Sequence, residues 1–286
     1  MNTAPRTRRA QPLLGTFVSI EAIAAPELAE AALAQAFRRV AEIHAAMSFH
    51  EAGSDLRRIA RALPGQTLQV SADTHAVLAL ALRMEADSAG AFNACCAAHL
   101  VGRGLLPAPP DAGRNVAGSL AEGIALLADS RLRIRRPTWI DLGGIAKGHA
   151  VDAAVEALQA AGVEGGSVNA GGDLRAFGPE PFAVNVRDPR EPVLSRPLAE
   201  ISDMACATTA WSVSRPERHA GHIVRVGHAV TDNPPMSLTV FAPRCAIADA
   251  LTKVVWLRGR EATELLRAHA AQAFVWRENG SHEHLA

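Results

Sequence analysis

The stretch Gly166-Ser-Val-Asn-Ala-Gly-Gly-Asp-Leu-Arg-Ala-Phe177 decides how the chain is read. Two β-type runs, Gly166–Asn169 and Asp173–Phe177, flank a glycine pair, and so short a link predicts antiparallel neighbours rather than a crossover. Similar short spacings recur downstream, through β-type runs at Phe182–Arg187, Leu198–Cys206, His222–Val226 and Ser237–Phe241. Further runs are expected at Leu14–Ala22, Arg131–Arg135 and Thr138–Leu142, and Ala273–Arg277 closes the chain. Helical patterns punctuate the strands at Glu27–Ala46, Asp55–Ala62, Ser71–Ala86, Lys147–Ala161, Ala246–Leu257 and Glu261–Ala271, with Ser54 as an N-cap. The expected fold is α+β, antiparallel sheets with helices packed on their faces. One domain over residues 1–286 is expected, divisible into two subdomains near the Gly- and Pro-rich stretch 101–118.

Composition narrows the function. With 29 basic and 29 acidic residues the formal charge is zero, and no long basic run carries interleaved aromatics, so nucleic acid is not expected as a partner. The start, Met1 to Ala22, has the arginines of a targeting segment, but its apolar run is broken by Gly15 and leads into a strand. Neither a signal peptide nor a membrane span is expected, which favours the cytoplasm, with the periplasm as the alternative. Cys95, Cys96, Cys206 and Cys245 lack CxxC spacing and read as thiols in a reducing compartment.

Three segments carry chemistry. Asp141-Leu-Gly-Gly-Ile-Ala-Lys-Gly148 joins a β-type run to a helical one. Glycines there let backbone approach a phosphate, free N–H groups at the helix start meet its charge, and Lys147 adds a cation. A plain tight turn has the same composition, and neither the Walker nor the dinucleotide glycine spacing is present. Asn169-Ala-Gly-Gly-Asp173 reads as a hairpin turn or as a second close-approach site ending in a carboxylate. In Ala248-Asp249-Ala-Leu-Thr252-Lys253, the positions i, i+3 and i+4 put Asp249, Thr252 and Lys253 on one helix face. A surface ion pair has that spacing too, but the apolar neighbours imply burial, and buried charges need partners or a ligand.

The order and spacing of these three segments resemble the ApbE family of flavin transferases. Weaker matches extend the resemblance over most of the chain: Leu14-Gly-Thr16, Met47-Ser48 with Ser54-Asp-Leu56, Ser88-Ala-Gly-Ala-Phe92, Val186-Arg-Asp-Pro189 and His222-Ile223. The resemblance implies an ApbE-like, T-fold-related architecture and an FAD:protein FMN transferase. Such an enzyme moves the FMN half of FAD to a Thr or Ser hydroxyl of an acceptor flavoprotein and releases AMP, with a divalent metal, usually magnesium. Residue by residue it implies flavin or phosphate contacts for Met47, His50, Ser88, Gly90, Phe92, Asp141, Gly143, Gly144, Lys147, Gly148, Asp152, Gly171, Gly172, Asp173 and Arg187. Lys147 and Asp173 would serve the phosphate chemistry, His222 would accept the proton of the incoming hydroxyl, and the Ala146 carbonyl, Asp249 and Thr252 would hold the metal.

Departures from the family pattern fall inside that site. Lys253 stands where a threonine metal ligand is usual, and Thr252 lies one residue earlier. Two outcomes stay open: Thr252 turns in as a ligand, or the Lys253 ammonium pairs with Asp249 and supplies part of the metal's charge. His50 takes the place of a flavin-stacking tyrosine in a chain with no tyrosine, Asn93 follows Phe92 where aspartate is common, Thr209-Ala210 replaces a Ser-Gly pair, and His222-Ile-Val-Arg-Val-Gly227 loses an Asp and a Pro. The competing functions are a non-catalytic FAD carrier, an FAD pyrophosphatase giving FMN and AMP, and a scaffold that binds no flavin.

Overall fold

The glycine pair turns the chain back on itself as expected. Strand β6 (Gly165–Ala170) pairs antiparallel with β7 (Asp173–Phe177), and Gly171 and Gly172 both take positive φ, +66° and +107°, the conformation of a two-residue hairpin. A Cβ on Gly171 would lie 2.6 Å from Thr16 Oγ1, so the turn also needs glycine for space. The computed structural model describes residues 5–109, 113–188, 191, 193–210, 223, 235–277, 279 and 281–286.

Around this hairpin an eight-stranded sheet assembles in the order β1-β2-β6-β7-β10-β11-β12-β13, every neighbouring pair antiparallel. The other strands of this sheet are β1 (Arg6–Leu13), β2 (Thr16–Ile23), β10 (Ala205–Ala210), β11 (Ser237–Ala242), β12 (Gln272–Trp276) and β13 (His282–Leu285). A three-stranded sheet holds β3 (Thr67–Gln69), β5 (Arg131–Ile134) and β4 (Ile124–Leu127), and β8 (Phe182–Arg187) pairs with β9 (Ser195–Ile201). The helices are α1 (Pro26–Met47), α2 (Asp55–Arg61), α3 (Ala72–Asp87), α4 (Ala97–Gly102), α5 (Leu120–Gly123), α6 (Ala146–Ala160), α7 (Cys245–Arg258) and α8 (Thr263–Ala268). No helix among the described residues is long and apolar enough to cross a membrane.

The main core lies between one face of the sheet and α1, α6 and α7. Period-two alternation sends Ala205 and Ala207 of β10 into it, while Cys206 points into a smaller apolar cluster with Leu174, Ala176, Val184, Ile201 and Phe241. Helix α1 buries Ala29, Leu33, Ala36, Phe37, Val40, Ile43 and Met47 at helical spacing, with Pro26 in its first turn. Ser54 caps α2 by accepting from Arg57 N at 3.2 Å, as expected, and Ser71 caps α3. All four cysteines are free thiols, and Cys95, Cys206 and Cys245 are buried.

Several strand expectations need correction. The arginine-bearing segment before Leu14 is the edge strand β1, joined to β2 through Leu14 and Gly15, both at positive φ. Arg6 pairs with Glu21 at 3.0 Å, Arg8 donates to Ser19 Oγ at 2.8 Å and Arg9 pairs with Glu30; a charged edge of this kind resists pairing with other chains. Leu198–Cys206 is two strands in different sheets, separated by a turn in which Asp203 has a φ of +48°. Thr138–Leu142 joins no ladder, because its amides are used elsewhere: Trp139 N donates to Asn115 Oδ1 and Asp141 N to Ala94 O, each at 2.9 Å. The chain closes on β13 rather than β12. The run expected at His222–Val226 lies outside the described residues, apart from Ile223.

Candidate functional site

The site forms where the first turn of α6 meets the middle of α7. Contact is so close that a Cβ on Gly148 would lie 2.7 Å from Ala246 Cα and closer still to the Cys245 carbonyl. Glycine at position 148 is therefore what lets the two helices touch. The same approach brings together the Asp141–Gly148 loop, the start of β7 and the α7 face that bears Asp249.

Two carboxylates and two ammonium groups meet there. Lys147 Nζ lies 2.5 Å from Asp173 Oδ2 and 3.6 Å from Asp249 Oδ2. The backbone N–H of Gly148 donates to Asp249 Oδ2 at 3.4 Å, and Lys253 Nζ pairs with Asp249 Oδ1. Lys253 Nζ also donates to Thr252 Oγ1 at 3.0 Å. Asp249 is fully buried and Asp173 nearly so, whereas the Lys147 and Lys253 side chains keep 32% and 21% of their surface exposed. The two lysines are thus the part of the cluster that keeps some exposed surface, while the carboxylates behind them keep almost none.

The charges hold one another in place. Burial alone would raise the Asp249 carboxyl, but Lys147, Lys253 and the Gly148 N–H outweigh it and keep the group ionised below the usual carboxylate range. Asp173 moves upward, because burial and the Asp249 charge exceed what Lys147 and Lys253 return. Burial would lower Lys147, yet Asp173 and Asp249 raise it, so it stays protonated. Thr252 is fully buried; its hydroxyl donates to the Asp249 carbonyl at 2.7 Å and accepts from Thr209 Oγ1 at 3.0 Å.

The remaining expected residues make contacts of their own. Gly144 packs against the stem of Lys253, where a Cβ would lie 3.3 Å from Cε, and Gly143 lies against the Asp141 carboxylate. Gly171 and Gly172 precede Asp173, and Gly172 N donates to Asn169 Oδ1 at 3.1 Å. Ser88, at the end of α3, accepts from Phe92 N at 2.9 Å across Gly90, whose φ is +80°, and the Ser88 carbonyl accepts from Arg258 at 3.2 Å. Met47 is buried at the end of α1, His50 is exposed beyond it, and Arg187 is exposed at the end of β8. His222 lies outside the described residues.

Asp152 stands apart from its expected phosphate-side role. It is fully buried one turn along α6 and accepts from Cys245 N at 2.9 Å, Ala246 N at 3.0 Å and Arg175 at 3.0 Å. Its oxygens cap α7 from across the helix contact, a task that spacing along the chain did not reveal. Arg175 and Arg244 on Asp152, and Thr209 on Thr252, are supporting contacts between residues far apart in the chain, which local spacing does not signal.

Comparison with known proteins gives the family and the fold. The model of the ApbE family matches residues 14–275. The chain belongs to the ApbE family. It is 25% identical over 272 residues to the FAD:protein FMN transferase of Vibrio cholerae serotype O1, an alignment covering 87% of this chain and 80% of that protein. Among solved structures, a mutant form of the flavin transferase ApbE from Vibrio cholerae superposes with a TM-score of 0.81 at 22% identity, over 99% of this chain and 98% of the other. The apo form of the Pseudomonas stutzeri flavinyl transferase ApbE gives 0.81 at 18% identity, over 100% and 97%. The ApbE protein of Thermotoga maritima gives 0.78 at 21% identity, over 98% and 96%. These likenesses bear out the α+β ApbE architecture.

A divalent metal, by contrast, does not fit the donors as they stand. Asp249 Oδ1 is taken by Lys253, Oδ2 faces Lys147, and the Thr252 hydroxyl is committed to its neighbours.

Proposed function

We propose that this protein is an FAD:protein FMN transferase, which passes the FMN moiety of FAD to a Thr or Ser hydroxyl of an acceptor flavoprotein and releases AMP. The observation that carries the reading is the ammonium-faced carboxylate cluster at the mouth of a glycine loop, in a member of a family with a transferase of that name. Phosphoryl transfer asks a protein mainly for positioning and charge neutralisation. Lys147 and Lys253 supply the charge for a diphosphate, Gly143 and Gly144 leave room for its approach, and Asp173 and Asp249 fix the lysines. The acceptor oxygen attacks the FMN phosphorus, the bond from that phosphorus to the AMP oxygen breaks, and the hydroxyl proton passes to a base, the role we assign to His222. The magnesium expected from the resemblance is left out, because the residues present do not fit it. Four free thiols suit a cytoplasmic enzyme, a placement that cell fractionation tests.

Incubating the purified protein with FAD and a candidate acceptor domain should add the mass of FMN less one water to the acceptor and release an equal amount of AMP. Steady AMP release without acceptor would instead mark a pyrophosphatase. Bound FAD with neither product would mark a carrier.

A further inference from the structure

We infer that the Lys253 ammonium is this protein's own cation at Asp249, seated where a divalent metal would otherwise join the carboxylate to a diphosphate, so that FAD is held without a divalent metal. The inference rests on the proposed FAD chemistry for its ligand, but its evidence is the placement of Lys253. The side chain does not project into solvent from α7. Its stem lies over Gly144, which can be so covered because it has no Cβ, and its Nζ reaches back one helical turn to Asp249 Oδ1. The second ligand position of the carboxylate is also spoken for, by Gly148 N and by Lys147 at 3.6 Å.

The ion pairs point the same way: Lys147 bridges Asp173 and Asp249, and Lys253 pairs with Asp249, so each buried carboxylate already faces a cation. A divalent ion at Asp249 would sit beside two ammonium groups in a largely buried place, where like charges repel strongly. The ammonium has three donors. Asp249 Oδ1 and Thr252 Oγ1 take two, which leaves one for a phosphate oxygen. Thr252 cannot serve as a substitute ligand without giving up a lone pair that accepts from Thr209 or from Lys253.

Two measurements on the full chain test this. Mn2+ is titrated into wild type, K253T and K253A, with and without FAD, following the free-ion electron paramagnetic resonance signal. FAD binding is followed by quenching of flavin fluorescence in chelator and in millimolar Mg2+. Wild type should bind FAD within about twofold equally under both conditions. Removing the ammonium should create one Mn2+ site at least about tenfold tighter than any in wild type, and K253T should need Mg2+ to recover FAD affinity. K253A gives the same Mn2+ readout should K253T not fold. The inference is overturned if wild type binds one Mn2+ as tightly as either variant, or if chelator abolishes its FAD binding. If no chain binds FAD at all, the transferase reading fails, while the Mn2+ comparison still decides the role of Lys253.

Discussion

Asp152 and Asp249 are both fully buried where α6 meets α7, and they do opposite things. Asp152 accepts from two backbone N–H groups of the α7 first turn and from Arg175 and Arg244, the latter at 3.5 Å. Its oxygens are spent on structure. Asp249 is held by one backbone N–H and two lysines whose outer surfaces stay in reach of solvent. An ammonium on a flexible stem can keep its carboxylate and still offer a donor to a ligand, which a backbone amide inside a helix contact cannot. The same helix pair thus holds one carboxylate that fastens it and one that is paired with lysines.

The comparison breaks most easily at its structural half. Asp152→Ala should strand a guanidinium and two N–H groups, costing about 3–5 kcal/mol in urea denaturation. A loss under about 1 kcal/mol would show that Asp152 is not the fastening, and a folded variant that fails to bind FAD would return it to the cleft. Asp249→Ala should do the reverse, lowering acceptor flavinylation by about 100- to 1,000-fold in intact-mass assays while the protein remains folded by circular dichroism. Gly148→Ala should damage both halves together, since the Cβ meets α7 backbone; a stability loss of about 1–3 kcal/mol with weakened FAD binding is expected.

The smallest effect lies away from both. Asp73 ties α3 to α1 and α6 through Arg39 at 3.0 Å and His149 at 2.9 Å. The His149 hydrogen bond, with Arg39, lowers its carboxyl from 3.8 to about 2. A depressed carboxyl stabilises the fold fully above 3.8, and that contribution is lost as pH falls from 3.8 towards 2. Asp73→Asn should therefore cost about 1 kcal/mol or less near neutrality, and the gap in Tm from wild type should close on acidification towards pH 2.

Legibility followed the range of the interactions. Helices α1, α3, α6 and α7, the Ser54 cap and the glycine hairpin stand close to their expected bounds, because side-chain period, caps and positive φ are local. Strand β1 did not read as a strand because a solvent-facing edge shows polar alternation with few apolar residues, and its arginines suggested a different use. The break between β9 and β10 was hidden because both halves have β-type composition, and their sheet membership depends on partners far away in sequence. In Thr138–Leu142 the composition was right and the partner absent, since its amides bond to Asn115 and Ala94 instead.

The sequence by itself determined the helix and hairpin positions, the glycine loop, the family pattern and the i, i+4 spacing of Asp249 and Lys253 on one helix face, all matters of spacing within a few turns. Tertiary structure alone decided that Lys147 bridges Asp173 and Asp249, that Asp152 caps α7, and that Lys253 lies over Gly144 rather than in solvent. Those contacts join residues far apart in the chain, and their energies arise only when burial strips away water and makes each charge depend on its neighbours.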